Sequence, residues 1–419
     1  MVGPDLPVSA GNGAAPAPLA GAGFEPIDGD VTSPIGFLAA GIHCGVKRKR
    51  PDLALLCSET PATAAAVFTT NRVQAAPVVY SREVVTHGWA RAVVVNSGNA
   101  NACTGAQGIA DAREMGERTA AALGLPTDQV LVASTGIIGV PLPMDAIRAG
   151  IPRAVEALEA DGAAASRAIL TTDRFPKTAA ARLEVGGREV TIGGMAKGAG
   201  MIHPNMATTL GFLTTDAALA PDLLRGALRR AVDASFHQIT VDGDTSTNDA
   251  VFLFANGRAG APAITGAELD RFTAALGAVA GKLAWMVVRD GEGTTRVAEI
   301  AVEGARDEAE ARRAAFRVAG SLLVKTALHG GEPNWGRVMA ALGSAGVEIV
   351  EQRIAIDIGE VPVVREGIGV PGSEQRAADA LANVEVRVRI RLGLGGGRAR
   401  CWTSDLGEEY VRLNGSYAS

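Results

Sequence analysis

The sequence predicts a mixed α/β (α+β) fold of layered sheets divided between two lobes. Three observations predict it. The chain has 419 residues, more than one hydrophobic core ordinarily serves. Short apolar runs with strand character alternate with helical spacings, but in no regular βαβα cadence and with no internal repeat. Aromatic residues make up only 4% while glycine numbers 52. Side chains that small suit closely packed α/β layers better than an aromatic-rich sandwich.

The elements follow in order. Residues 1–24, rich in Pro, Gly and Ala, read as a disordered tail. Residues 25–100 open with "DLALLCSE", "AAAVFTT" and "APVVYS", short strand-like runs between turn residues. "RAVVVNSGNANACTG" is a buried strand ending in an Asn/Gly cluster, and the helix after it closes at Gly124. "QVLVASTGIIG" repeats that pattern before a helix from Met144, and "AARLEVGGREVTIGGMAKG" is a hairpin about Gly186 and Gly187. "LLRGALRRAVDASF" is an amphipathic helix, and "VDGDTSTNDAVFLFANG" is a loop and then a strand. "ELDRFTAALGAVAGKLAWMVVRDGEG" is a long helix entering an acidic turn. After the strand "AEIAVEGA", "DEAEARRAAFRVAGSLLVKTALHG" reads as one further helix. "NVEVRVRIRLG" and "ARCWTSDLGEEYVRLNGSYAS" alternate as exposed antiparallel strands do.

Composition excludes several function classes. Net charge is −5, with 40 basic and 45 acidic residues interspersed, which leaves no nucleic-acid footprint. The one basic run, Lys47 to Arg50, reads as a solvated loop in preference to a localisation or phosphate-binding signal. Cys44, Cys57, Cys103 and Cys401 lack CxxC spacing and histidine neighbours, so neither a metal site nor a disulfide framework is expected. No apolar run approaches the roughly 18–20 residues of a bilayer span, and a soluble, cytoplasmic protein is expected.

Familiar catalytic motifs fail on spacing. "DGDTSTNDAVFL" resembles a calcium loop but has Thr247 and Leu253 where glycine and glutamate belong. "AKGAGMI" is no P-loop, "LGLGGG" is no dinucleotide fingerprint, and "VASTGI" is no nucleophile elbow because residue 132 is valine. What remains is "KGAGMIHPNMATTLGFLTTD". A threonine becomes a self-sufficient nucleophile when it is the first residue of a chain, because its own α-amine serves as base. An interior threonine reaches that state only if the peptide bond before it is cut, which calls for a strained, glycine-hinged turn. On pattern alone a plain loop-to-strand junction is the stronger reading.

The wider sequence changes that balance. "VVVNSGNANACTG" (93–105), "ASTGIIG" (133–139), "ILTTD" (169–173), "DGDTSTND" (242–249), "DGEG" (290–293), "VKTALHGGEPNWGR" (324–337) and the final "DLGEEYVRLNGSYAS" accompany it. Together they resemble the ornithine acetyltransferase family, the bifunctional glutamate N-acetyltransferases of the cyclic arginine pathway, from about residue 25 to the end. The resemblance implies N-terminal-nucleophile-like layering with the family's own topology. It implies self-cleavage between Ala207 and Thr208 into an α fragment (25–207) and a β fragment (208–419) that pair as an α2β2 heterotetramer. Thr208 would be the nucleophile, its amine the base, and Thr209 a structural neighbour. Thr135 and Gly136 would form the oxyanion hole. Thr172, Lys197, Thr208, Glu292, Asn414 and Ser419 would bind substrate. Thr171 stays open beside Thr172, since alternation along a strand would let only one of them face the site. The chain ends Tyr417-Ala418-Ser419 where the family often has arginine in the middle position.

The implied reaction is ping-pong transfer of acetyl from N-acetylornithine to glutamate, without a cofactor or metal. In a bifunctional member acetyl-CoA is a further co-substrate. A monofunctional or secondary-metabolism relative, and a self-cleaving amidohydrolase or aminopeptidase, are the alternatives.

Overall fold

The computed structural model of the chain describes residues 23–203 and 209–415. The expected cleavage pair Ala207 and Thr208, the terminal Ser419, and all but the last two residues of the expected tail lie outside the described residues.

Among the described residues the strands form three sheets. A six-stranded sheet runs in the order β1 (Phe24–Ile27), β7 (Lys177–Val185), β8 (Arg188–Lys197), β9 (Leu210–Thr215), β11 (Ala250–Ala255) and β4 (Thr63–Phe68). A four-stranded sheet runs β2 (Phe37–Ile42), β3 (Leu53–Ser58), β5 (Ala92–Asn99) and β6 (Val130–Ile137). A seven-stranded sheet runs β10 (Ile239–Thr240), β17 (Gly397–Ser404), β12 (Val297–Ala305), β16 (Glu385–Arg391), β13 (Ala355–Ile358), β14 (Val361–Arg365) and β15 (Ile368–Gly369).

Side-chain alternation stacks the first two sheets. Phe212, Phe252 and Phe254 point to a core shared with Leu56, Val93, Val95 and Leu131 of the four-stranded sheet. Their neighbours Leu213, Val251 and Leu253 point the other way, onto α5 (Pro221–Asp233) and α6 (Gly266–Arg289). The outer face of the four-stranded sheet is covered by α1 (Ala76–Val84), α2 (Gly105–Leu123) and α3 (Met144–Glu156), while α4 (Ala163–Ala168) closes the gap between the sheets. The order is helix, sheet, sheet, helix, which is the layering the resemblance implied. A second lobe packs α7 (Glu308–Ala319), α8 (Leu322–Gly330), α9 (Trp335–Gly343) and α10 (Glu374–Leu381) on one face of the seven-stranded sheet. From it α11 (Glu408–Asn414) returns to the rim of the first lobe.

The lobes and the expected fragments are different divisions of the chain. β8 and β9, on either side of position 207, are antiparallel neighbours in one sheet, with Lys197 opposite Leu210. The lobes part near residue 296 instead.

Local rules hold where neighbours in sequence decide the outcome. Gly124 ends α2 at φ 66°, and Gly186 and Gly187 turn the β7–β8 hairpin at φ 56° and 74°. Three expectations are corrected. "APVVYS" is the start of α1, with Pro77 in the first turn, where a missing N–H costs nothing. The helix expected over 307–330 is two: α7 ends at Ala319 with Gly320 as its C-cap, and Ser321 caps α8 by accepting from the Val324 N–H. Residues 408–414 are helical, with Glu408 and Glu409 at the N-terminal end and Arg412 in the last turn, charges that suit a helix dipole. In addition, α6 is by length and composition apolar enough for a bilayer span, contrary to expectation. Its face of Phe272, Leu276, Val279, Leu283 and Val287 is instead buried in the helix–sheet core.

Candidate functional site

Lys197, the last residue of β8, carries a buried ammonium. Its Nζ donates to Thr171 Oγ1 at 2.9 Å and to Thr135 Oγ1 at 3.2 Å, and lies 3.9 Å from Asp173 Oδ2. Burial lowers its pKa, and the Asp173 carboxylate opposes that shift. Thr135 and Gly136 come from the end of β6, where a bulge lets Asn99 pair with both Thr135 and Ile137. Gly136 has φ 136°, and a Cβ there would meet the Gly98 carbonyl carbon at 2.2 Å, so this position accepts only glycine. Asn248 braces the same strand end, its Nδ2 donating to Ser134 O at 2.8 Å and Ala100 O at 2.6 Å.

Thr171 and Thr172 lie in a bend after α4, not in a strand, so the alternation argument does not apply and both line the cavity. Thr171 is the one that accepts from Lys197. The bend is held by Asp173, whose Oδ1 accepts from Gly198 N at 2.7 Å and whose Oδ2 accepts from Thr171 N at 3.0 Å. Asp173 Oδ1 also accepts from Lys177 Nζ, which reaches on to Asp290 Oδ2. Burial pushes the Asp173 carboxyl up, but Lys177, Lys197 and the hydrogen bonds outweigh it and hold it below the ordinary carboxylate range.

Asp290 starts the turn that presents Glu292. The Glu292 N–H donates to Ala199 O at 2.9 Å, which ties that turn to the segment after β8. Glu292 Oε2 accepts from Asn414 Nδ2 at 2.7 Å, and α11 is thereby docked over the site. A Cβ on Gly200 would sit 2.6 Å from the Glu292 carboxylate, so the bare backbone makes room for it. Asp242 accepts from the N–H groups of Met201 and Ile202 and fixes this stretch from the other side.

These segments enclose one cavity of about 180 Å³ lined by Thr135, Gly136, Thr171, Thr172, Lys197, Glu292 and Asn414, with Asp242, Asp244 and Tyr410 beside them. It offers a cation with hydroxyl groups and a carboxylate within the same small space. That suits a small molecule bearing a carboxylate and an amine. Thr209 contributes no side chain to the lining. Its hydroxyl is buried, its N–H donates to Asp249 Oδ1 at 3.0 Å, and its carbonyl accepts from Ala250 N.

Sequence reasoning missed Asp173, Lys177, Asp290, Asp242 and Asn248. A signal for Lys177 existed. In a chain whose cations are mostly arginine, Lys177, Lys197 and Lys325 are all buried, at 0%, 4% and 2% exposure. A compact ammonium fits a closed slot that a guanidinium fork does not.

The ArgJ family model matches residues 38–419. The arginine biosynthesis bifunctional protein ArgJ of Symbiobacterium thermophilum is 52% identical over 400 residues, covering 94% of this chain and 100% of that one. The protein of the same name from a Synechococcus species is 49% identical over 412 residues, covering 95% and 99%. A crystal structure of ornithine acetyltransferase complexed with ornithine from Mycobacterium tuberculosis is 44% identical, with a TM-score of 0.41, over 43% of this chain and 98% of that one.

Proposed function

We infer the function from one premise: the chain belongs to the ArgJ family. It is an acetyltransferase of arginine biosynthesis that moves acetyl from N-acetylornithine to glutamate. The observation that carries this reading is the pairing of Lys197 and Glu292 in one small cavity beside Thr135 and Gly136. Both substrates bring an α-carboxylate for Lys197 and the threonine hydroxyls, and ornithine alone brings a side-chain amine for Glu292.

Self-cleavage between Ala207 and Thr208 frees the Thr208 amine. That amine takes the proton as Thr208 Oγ attacks the acetyl carbonyl. The negative charge that develops on the carbonyl oxygen needs donors already in place; one such donor is typically worth about 3 kcal/mol in the transition state. Lys197 donates to Thr135 Oγ1, which turns the Thr135 hydroxyl hydrogen away and leaves it to donate in turn. The Gly136 N–H is its partner. The C–N bond breaks, the proton passes to the departing ornithine amine, and the acetyl group stays on Thr208 as an ester. The glutamate amine then attacks that ester and regenerates the hydroxyl. The cycle requires no cofactor. The two fragments stay together, with β8 and β9 side by side, and assemble as α2β2 in the cytoplasm.

The test is acetyl transfer itself. Purified protein given N-acetylornithine and glutamate is expected to form ornithine and N-acetylglutamate in equal amounts, and two fragments are expected by intact mass. Acetate release independent of glutamate would replace this reading with an amidohydrolase. Thr208→Ala is expected to remain one chain and to be inactive.

A further inference from the structure

The run "VKTALHGGEPNWGR" (324–337) takes no part in the cycle above, and α8, which it largely forms, does not line the catalytic cavity. Yet α8 stands behind both segments that make the amine end of that cavity. One is the turn carrying Glu292, which continues through Thr295 and Arg296 into β12. The other leaves β17 at Ser404 and enters α11, which carries Tyr410 and Asn414. Glu292 and Asn414 meet at 2.7 Å only while these two segments keep their relative offset. Within the sheet the ladder fixes that offset, with Val297 opposite Ser404. Beyond the sheet, side chains must fix it.

Asp405, itself buried, does this. Its Oδ1 accepts from the N–H groups of Thr295 (2.9 Å) and Arg296 (3.0 Å). Its Oδ2 accepts from the Thr295 hydroxyl and from His329 Nδ1 at 2.7 Å. Burial pushes the Asp405 carboxyl up, but hydrogen bonds from Arg296, Thr295 and His329 outweigh it and hold it below the ordinary carboxylate range. A carboxylate only accepts, so the proton of the last bond sits on His329 Nδ1. His329 is the one partner in this set from outside the two segments. Its ring also lies under the start of α11, where a Cβ on the N-cap Gly407 would meet the imidazole at 2.3 Å. The helix bearing it is tied to the same stretch. Lys325 Nζ donates to Thr403 Oγ1 at 2.9 Å and Ser404 Oγ at 3.1 Å, and Lys325 O accepts from Leu406 N at 3.2 Å. Arg296 Nη1 donates to Leu328 O at 3.2 Å and to His329 O at 2.5 Å.

We propose that His329, acting through Asp405, is a positioning residue for the amine end of the site. It sets the separation of Glu292 and Asn414, and with it the grip on the ornithine side chain, without touching the substrate. This rests on the acetyltransferase reading above. The lever is α11. A helix of seven residues has little stability of its own, so its direction is set where it begins. It is roughly 10 Å long, so a tilt of about 10° at Gly407 moves Asn414 by nearly 2 Å. That is enough to break the bond to Glu292, since hydrogen bonds weaken steeply beyond about 3.2 Å.

The experiment measures steady-state acetyl transfer by the processed protein, varying N-acetylornithine and glutamate in turn. It compares the wild type with His329→Ala, His329→Asn, Asn414→Ala and the double variant His329→Ala/Asn414→Ala. In His329→Ala the KM for N-acetylornithine is expected to rise about tenfold, with kcat and the glutamate KM within about twofold of wild type. His329→Asn keeps an N–H donor near the Nδ1 position and is expected to recover most of that loss. In the Asn414→Ala background the His329 effect is expected to vanish, because both act on one contact. An unchanged N-acetylornithine KM, equal rises for both substrates, or a full His329 effect without Asn414 overturns the proposal. With the wild type transferring acetyl, each of these leaves the proposed function standing. If His329→Ala does not fold, Thr295→Val, which removes one exposed hydroxyl from Asp405, is read by the same criteria. A wild type that takes no acetyl from N-acetylornithine overturns the proposed function and this role with it.

Discussion

Lys177 Nζ donates to Asp290 Oδ2 at 2.6 Å although the two residues lie 113 positions apart, and both side chains are fully buried. The same ammonium meets Asp173 Oδ1 at 2.7 Å. Asp173 holds Thr171 and Gly198, and Asp290 holds Arg174 and begins the Glu292 turn. One buried cation thus joins the three segments that carry the site. Removing it leaves two buried carboxylates facing each other, with only Arg174 on Asp290 and the more distant Lys197 on Asp173 to offset them. Lys177→Met is expected to cost about 3–5 kcal/mol of stability, read as a lower thermal transition. Lys177→Arg should not restore it, since the slot has no room for a guanidinium. An undiminished transition in Lys177→Met would refute this role for the node.

The Lys197 ammonium sits in the cavity with its pKa lowered by burial. Binding of an α-carboxylate needs the protonated form. The KM for glutamate should therefore climb with pH from a point below the ordinary lysine range, and Lys197→Met should flatten that climb while raising KM throughout. Stability moves the other way. A lysine whose folded pKa is depressed carries its burial penalty at low pH and sheds it as pH rises towards the unfolded value. Weaker binding at alkaline pH is then not unfolding, and circular dichroism at the same pH separates the two.

Glu292 accepts from Asn414 at 2.7 Å and is the acidic partner proposed for the ornithine amine. A hydrogen bond to a charged group is worth about 1.5–3 kcal/mol, which corresponds to roughly a 10- to 150-fold change in affinity. Glu292→Gln is expected to raise the KM for N-acetylornithine within that range and to leave the KM for glutamate within about threefold. Equal changes for both substrates would argue against a specific contact with the amine.

Asp249 is buried immediately before β11, and its Oδ1 accepts from Thr209 N. Burial raises its pKa well above the ordinary value, with the Thr209 N–H and the charge of Lys197 opposing. A carboxylate with a raised folded pKa lowers stability above that pKa, and the loss is relieved as pH falls towards the unfolded value of about 3.9. Asp249→Asn keeps an acceptor for Thr209 and removes the charge. It is expected to be the more stable protein at pH 8, with the gap closing towards pH 4, as measured by urea denaturation. A gap that widens on acidification would show that the ionised carboxylate is favoured.

The residues of the site were legible only through the family resemblance that a few short runs carry together, not from residue type at any one position. "ASTGI", "LTTD", "DGEG" and the lysine closing "GGMAK" all reach the one cavity. The supports behind them were not legible. Asp173 and Asp290 stand inside those same runs, but nothing local says that Lys177 bridges them. Burial of a charge is settled by everything packed around it.

The same boundary divides the fold. By itself the sequence determined the β7–β8 turn at Gly186 and Gly187, the end of α2 at Gly124, and the long apolar face of α6. Each follows from steric or periodic rules acting within a few residues. Tertiary structure alone decided that residues 76–84 coil as α1 and that 408–414 form a helix. It also decided that Thr171 and Thr172 share a bend, and that both sides of position 207 lie in one sheet. Those outcomes depend on which surfaces are covered. Desolvation and packing energies take their values only once distant segments have closed on one another.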